Sequence, residues 1–167
     1  MALFSALLPP APVVEALTSR ITALPRTDGV RWSPPAGWHV TLAFYGQDAA
    51  AERSRWLRER LAGMPAPRIW LAGAGTFPRV LYLGVYGDGL TELGLAAGAG
   101  EQDRPYLPHL TLARTREEVP RDLPAALADY RTEPWTAAEA VLMRSDRGPD
   151  GVRYAVVERF PLSQQAR

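Results

Sequence analysis

Two histidines make up the entire imidazole complement of this chain, and both stand in the same tetrapeptide. His39-Val40-Thr41-Leu42 and His109-Leu110-Thr111-Leu112 share the pattern H-x-T-L, seventy residues apart. With an ordinary pKa of about 6.5, a histidine is available in both protonation states near neutrality. Facing one phosphate, a neutral imidazole can take a proton from attacking water while a charged one gives a proton to a departing ribose oxygen. Each such transfer contributes roughly 10²–10⁴-fold to rate. The hydroxyls of Thr41 and Thr111 can donate to the non-bridging oxygens, where charge gathers in the transition state. A lone H-x-T-L carries little weight, because Thr and Leu suit strands anyway and a single histidine at a strand start is usually structural. Placing both histidines in one repeated pattern is what chance seldom does.

Other chemistries fit less well. Zinc usually takes three or four His, Cys or carboxylate ligands, and here there are two histidines, no cysteine and no acidic residue at a short fixed offset from either histidine. No G-x-S-x-G elbow is present for a serine nucleophile. All 19 basic residues are arginine, and lysine is absent. That removes the GxxxxGK[ST] phosphate loop, the Schiff base and any lysine–nucleotide intermediate. Neither a metal nor a cofactor is expected. Asparagine is missing too, and the codon bias of a GC-rich genome accounts for both gaps.

The histidines need elements to hold them face to face. Leu3 to Leu8 reads as a short buried strand, closed by Pro9, Pro10 and Pro12. Val13, Leu17, Ile21 and Leu24 follow at helical spacing. Val30 to Trp32 is a strand, Ser33 to Gly37 a turn, and His39 to Tyr45 a strand ended by Gly46. A helix is expected over Ala49 to Leu61. Strands follow at Ile69 to Leu71 and Val80 to Tyr86, joined by a Gly/Pro-containing connection. Leu90 to Ala97 is a helix, His109 to Thr115 a strand, and Leu123 to Tyr130 a short helix. Ala137 to Ser145 and Val152 to Phe160 form a hairpin with its loop at Asp146 to Gly151. On a strand, His39 and Thr41 share a face, as do His109 and Thr111. Two such strands side by side would bring four polar groups into one cleft.

Length and composition agree with a folded domain: 167 residues, 47% apolar and 22% charged. No apolar run approaches the ~20 residues that span a bilayer, so no membrane association is expected. Met1 to Leu8 lacks the basic flank and cleavage site of a signal peptide. The cysteine-free chain suits the cytoplasm. A net charge of +1 argues against a broad basic surface, so any RNA contact should be local. Without heptads or an apolar tail, a monomer is expected.

These residues resemble the 2H phosphoesterase superfamily, named for two H-x-[ST]-x motifs. Within it they are most similar to the RNA 2′,3′-cyclic phosphodiesterases, also called 2′-5′ RNA ligases. The similarity runs along nearly the whole chain. It includes Leu3-Phe4-Ser5-Ala6, Val30-Arg31-Trp32, His39 to Gly46, Pro108 to Arg114, and the segments Arg144-Ser145, Gly151 to Tyr154 and Phe160-Pro161-Leu162. The resemblance implies an α+β fold with residues 1–167 as one domain. That domain is bilobal, two pseudo-symmetric lobes of antiparallel sheet with flanking helices around a central cleft, one H-x-T-L motif in each lobe. It implies metal-independent hydrolysis of a 2′,3′-cyclic phosphate, on RNA ends or nucleotides and tRNA fragments among them, to a 2′-phosphate. It also implies reversible, ATP-independent 2′-5′ joining. By the same resemblance His39 is the acid and His109 the base, and Thr41 and Thr111 hold the phosphate.

Phe44 and Arg114 each lie five residues after their histidine, positions that flank the nucleobase in similar enzymes. Strict alternation would put Phe44 on the face opposite His39, so a bulge or strand end would be needed to turn it. Ala43 departs from the pattern, since many relatives carry a basic residue there. Two other readings stay open: an RNA-end-binding protein with little turnover, and a different 2H reaction such as 2′-5′ oligonucleotide cleavage.

Overall fold

The computed structural model describes residues 1–101 and 105–164. Its first strand, β1 (Ala2–Leu7), is buried on both faces: Leu3 and Leu7 enter one core, Phe4 and Ala6 another. This explains a continuous apolar run in place of alternation. Pro10 caps α1 (Ala11–Thr22), and Pro12 falls in its first turn, where a missing N–H leaves no bond unmade. Then come β2 (Val30–Trp32), a single 3₁₀ turn at Pro35–Gly37, β3 (Val40–Gly46) and α2 (Ala50–Leu61). The remaining elements are β4 (Arg68–Phe77), β5 (Val80–Asp88), α3 (Leu90–Ala96), β6 (His109–Thr115), α4 (Asp122–Ala126), β7 (Trp135–Thr136), β8 (Glu139–Gly148) and β9 (Gly151–Pro161).

The strands form one sheet in the order β7-β4-β5-β6-β3-β1-β8-β9, with β2 paired to β6. The pairings between these strands are antiparallel, so the fold is α+β, as the hairpins expected from the sequence imply. The two motif strands, β3 and β6, are central. β5, β4 and β7 extend the sheet beyond β6, while β1, β8 and β9 extend it beyond β3. The N-terminal strand and the C-terminal hairpin therefore both belong to the side that carries the first motif.

Leu17 of α1, Leu57 and Leu61 of α2, Leu90 and Leu93 of α3 and Leu123 of α4 share one core with Val40, Leu42, Leu83, Leu110 and Leu112 of the sheet. Each leucine so buried contributes about 1.5–3 kcal/mol. Phe4, Ala6, Val141 and Met143 form a smaller cluster. No helix among the described residues is long and apolar enough to cross a membrane.

Three elements depart from expectation. The Gly/Pro connection after Leu71 is mostly strand: β4 continues to Phe77 through a bulge between Ala72 and Ala74. Gly73 takes φ +67° there, a conformation open to glycine. The turn to β5 is only Pro78-Arg79. The hairpin near the C-terminus is likewise tighter, since pairing continues to Gly148↔Gly151 and leaves Pro149-Asp150 as its turn. Helix α4 is shorter than Leu123 to Tyr130. Its end winds into i→i+3 bonds from Leu127, Ala128 and Tyr130 N–H groups to Pro124, Ala125 and Leu127 carbonyls, the tightening common at a helix terminus.

Candidate active site

Val40 faces Leu110 across the β3–β6 pair. One step out in this antiparallel register, His39 comes opposite Thr111 and Thr41 opposite His109. Val40 and Leu110 are fully buried in the core, so alternation turns the two histidines and two threonines onto the other face of the sheet. All four, His39, Thr41, His109 and Thr111, are partly accessible. Neither threonine hydroxyl has a hydrogen-bond partner among the described residues; Thr41 is bonded through its carbonyl, which accepts from the Tyr106 hydroxyl at 2.9 Å.

Each histidine is held in the same way. His39 Nδ1 lies 2.8 Å from the Gly37 carbonyl oxygen, and His109 Nδ1 lies 2.8 Å from the Leu107 carbonyl oxygen. A carbonyl can only accept, so Nδ1 carries the proton in both rings. Nε2 is then the atom left to exchange a proton in the cleft. Two aromatic rings also buttress each imidazole. Phe4 and Tyr154 stand 4.8 and 5.1 Å from His39, centroid to centroid. Phe77 and Tyr82 stand 5.0 and 5.5 Å from His109. A buttressed ring on a backbone bond has little freedom to turn, which suits a group that must present one nitrogen to one atom.

Burial is the main reason the His39 pKa lies below the usual 6.5; the nearby His109 and Arg114 push it the same way, against the raising effect of the Gly37 carbonyl. The free protein therefore favours neutral His39.

The bulge that Phe44 requires is present. Thr41 pairs with Ala6 and Ala43 with Ser5, leaving Leu42 without a partner on β1. The second motif repeats this: Thr111 pairs with Tyr82 and Ala113 with Leu81, leaving Leu112 without a partner on β5. Leu42-Ala43 and Leu112-Ala113 are consecutive buried pairs. Each bulge shifts the alternation by one residue, so Phe44 and Arg114 return to the face of their histidines. Phe44 is 53% exposed, and Arg114 is close enough to His39 to influence its ionisation.

A model of the 2′-5′ RNA ligase superfamily matches residues 8–149. The chain belongs to the 2′-5′ RNA ligase superfamily. A relative from Thermus thermophilus, named RNA 2′,3′-cyclic phosphodiesterase, is 34% identical; the alignment covers 97% of this chain and 90% of that one. The solved structure of TT0787, also from Thermus thermophilus, is 29% identical with a TM-score of 0.81, covering 99% of this chain and 100% of that one. The structure of E. coli LigT complexed with 3′-AMP is 26% identical with a TM-score of 0.74, covering 98% of each.

For this member of the 2′-5′ RNA ligase superfamily, sequence reasoning found the four polar groups but missed the rings behind the histidines. Phe4, Tyr154, Phe77 and Tyr82 come from four different strands, and only the assembly of the sheet brings them to the imidazoles. Phe4 and Tyr154 also contact each other, at 5.8 Å. No local pattern marks any of them. Among the described residues, no three His, Cys, Asp or Glu side chains gather as a metal-binding group.

Proposed function

We propose that this protein hydrolyses the 2′,3′-cyclic phosphate of an RNA end or nucleotide to a 2′-phosphate, with His39 and His109 as the acid–base pair. The observation that carries this reading is the matched state of the two imidazoles. Each Nδ1 is committed to a backbone carbonyl, and each Nε2 is left on the face that Thr41 and Thr111 share. His109 takes a proton from water as the water oxygen bonds to phosphorus. The P–O3′ bond breaks, and His39 gives its proton to O3′. The Thr41 and Thr111 hydroxyls donate to the non-bridging oxygens. This direction follows the family resemblance. Because the free protein favours neutral His39, His39 acquires its proton when the anionic phosphate settles between the motifs, since a nearby negative charge favours the charged imidazole.

Phe44 and Arg114 flank the terminal base, one by its aromatic face and the other by its guanidinium. LigT binding 3′-AMP supports a nucleotide-sized occupant. A ribose 5′-hydroxyl in place of water would attack phosphorus in the same direction, with O3′ leaving, and join two ends; in the reverse step O3′ attacks and the 5′ oxygen leaves. The absence of lysine fits, because no nucleotidyl-lysine is then needed. We read the protein as a cytoplasmic monomer acting on RNA ends, tRNA fragments among them; the cysteine-free composition and the net charge of +1 support this.

The test is turnover of a 2′,3′-cyclic nucleotide by the wild-type protein in EDTA, with the product resolved by chromatography. A 2′-phosphate as sole product supports the reading. A 3′-phosphate would reverse the leaving group, and binding without turnover would favour an RNA-end-binding protein.

A further inference from the structure

A tyrosine hydroxyl stands beside His109 on the side away from Thr41, and the two proton transfers give it no task. Tyr86 of β5 lies two residues beyond Gly84, so the two share the face that carries the histidines. Gly84 pairs directly with His109. The Tyr86 side chain runs back along its own strand: a Cβ at Gly84 would come within 2.9 Å of its hydroxyl oxygen and 3.1 Å of the Ala72 carbonyl oxygen. The hydroxyl thus takes the space that a side chain at position 84 would fill. Its ring is fixed from the other side. Trp70 lies opposite Tyr86 on β4 and stacks on it, with centroids 6.3 Å apart and planes at 28°. The Arg131 guanidinium in turn lies over the Trp70 ring at 5.3 Å. Tyr86 is nonetheless 52% exposed, and its hydroxyl has no hydrogen-bond partner among the described residues.

Across the sheet the order is then Tyr86 hydroxyl, His109, Thr41. Neighbouring strands lie about 4.7–4.9 Å apart. That gap is too wide for a direct bond from hydroxyl to imidazole, and it matches one bridging water. A cavity of about 270 Å³ opens at this place, lined in part by Tyr82, Gly84, Tyr86, Leu107 and Pro108. Leu107 is the residue whose carbonyl holds His109 Nδ1. Attack in line with the departing O3′ brings the nucleophile in from the side of His109, opposite His39. An attacking water has two protons. A bond to Nε2 alone leaves the water free to turn about it; a second acceptor, for the other proton, fixes a lone pair on phosphorus. A phenolic oxygen can accept as well as donate.

We propose that Tyr86, seated over Gly84, orients the attacking water: its oxygen accepts a hydrogen bond from the proton that His109 does not take. The water oxygen bonds to phosphorus as one proton passes to His109 Nε2. The P–O3′ bond breaks, O3′ takes the proton of His39, and the second water proton stays on the new phosphate oxygen. This rests on the function proposed above and adds a residue to it. An alcohol carries carbon where water carries that second proton, so the Tyr86 hydroxyl favours water over an alcohol. It thereby sets the balance between hydrolysis and the joining of ends.

The test is Tyr86→Phe, which keeps the ring on Trp70 and removes only the oxygen. Both proteins are assayed on a 2′,3′-cyclic mononucleotide in water and in a water–methanol mixture. In the variant, kcat for hydrolysis should fall about tenfold with KM and Tm nearly unchanged, the loss expected for one hydrogen bond at a reacting atom. Methanolysis to the 2′-(methyl phosphate) should fall less, so the ratio of methyl ester to free 2′-phosphate should rise several-fold. Wild-type kcat in the variant, an effect confined to KM, or an equal fall with both nucleophiles would each overturn the assignment. If wild type turned over no cyclic nucleotide, the preceding function would fail, and Tyr86 would be judged from crystal structures of the two proteins. A water within about 3.2 Å of both the Tyr86 oxygen and His109 Nε2 in wild type, lost in the variant, would support the assignment. A wild type without that water, or a variant that kept it, would overturn it.

Discussion

Leu42 and Leu112 hold the same place in the two motif strands: each is the residue that its outer neighbour strand skips. Both are buried, and each is followed by a buried alanine, so the strand turns two successive side chains into the core before returning to the cleft face. The fifth residue after each histidine gains access to the site in this way. The bulge converts a rule that would hide Phe44 into one that presents it.

Phe44→Ala should therefore act on binding more than on folding. The ring is half-exposed, and losses at such surface positions usually stay within about 0.5 kcal/mol. Losing a base-stacking face costs about 1–3 kcal/mol. KM for a cyclic nucleotide should rise roughly tenfold or more with kcat little changed and Tm nearly constant, and Phe44→Trp should restore KM.

His39 should titrate below 6.5 in the free protein, read from its imidazole NMR signals, because burial is the leading cause of its lowered pKa. Arg114→Ala should raise that value while leaving it below 6.5, since burial remains. The sign for stability follows. Above pH 6.5 both folded and unfolded states keep His39 neutral and stability is full. As pH falls below 6.5 the unfolded chain takes up a proton that the folded chain resists, so stability drops until the folded pKa is passed. His39→Asn should flatten this acid limb in urea titrations. Adding inorganic phosphate should move the wild-type His39 titration upward.

Gly75 should matter to His109 without touching it. A Cβ at Gly75 would come within 2.5 Å of the Tyr82 hydroxyl oxygen, and Tyr82 packs on both Phe77 and His109. The end of a tyrosine can swing aside at small cost in stability, but its ring then leaves His109. Gly75→Ala should lower kcat on the order of tenfold, as small misplacements of a reacting group do, with Tm changed by only a few degrees.

Phe4→Ala should lower stability and activity together. Phe4 is only 4% exposed, inside the cluster with Ala6, Val141 and Met143, so truncation should cost about 3–5 kcal/mol by denaturant unfolding. The same change removes the ring 4.8 Å from His39, and activity measured well below the unfolding midpoint should fall too.

The paired H-x-T-L tetrapeptides were legible because the chemistry and the period-two alternation are both local. The strands and helices around them were legible for the same reason. The length of β4 was not: glycines that usually end a strand here serve a bulge at Gly73 and a seat for Tyr82 at Gly75. The bulges left a faint local mark, the doublets Leu42-Ala43 and Leu112-Ala113, which break strict alternation at matching positions. The rings around each imidazole left none, because Phe4 reaches His39 only through the pairing of β1 with β3, and Tyr154 only through the pairing of β9 with β8 and of β8 with β1.

The central claim is that two histidines, one from each motif, share the proton transfers of a single phosphodiester step. The most direct measurement is the hydrolysis of a 2′,3′-cyclic nucleotide by wild type, His39→Ala and His109→Ala across a pH range of about 5 to 9, bracketing the ordinary histidine pKa, with folding of each variant checked by circular dichroism. The account predicts a bell-shaped wild-type profile, and a loss of roughly 10²-fold or more in kcat for each variant. A folded variant of either histidine that kept wild-type kcat would contradict it.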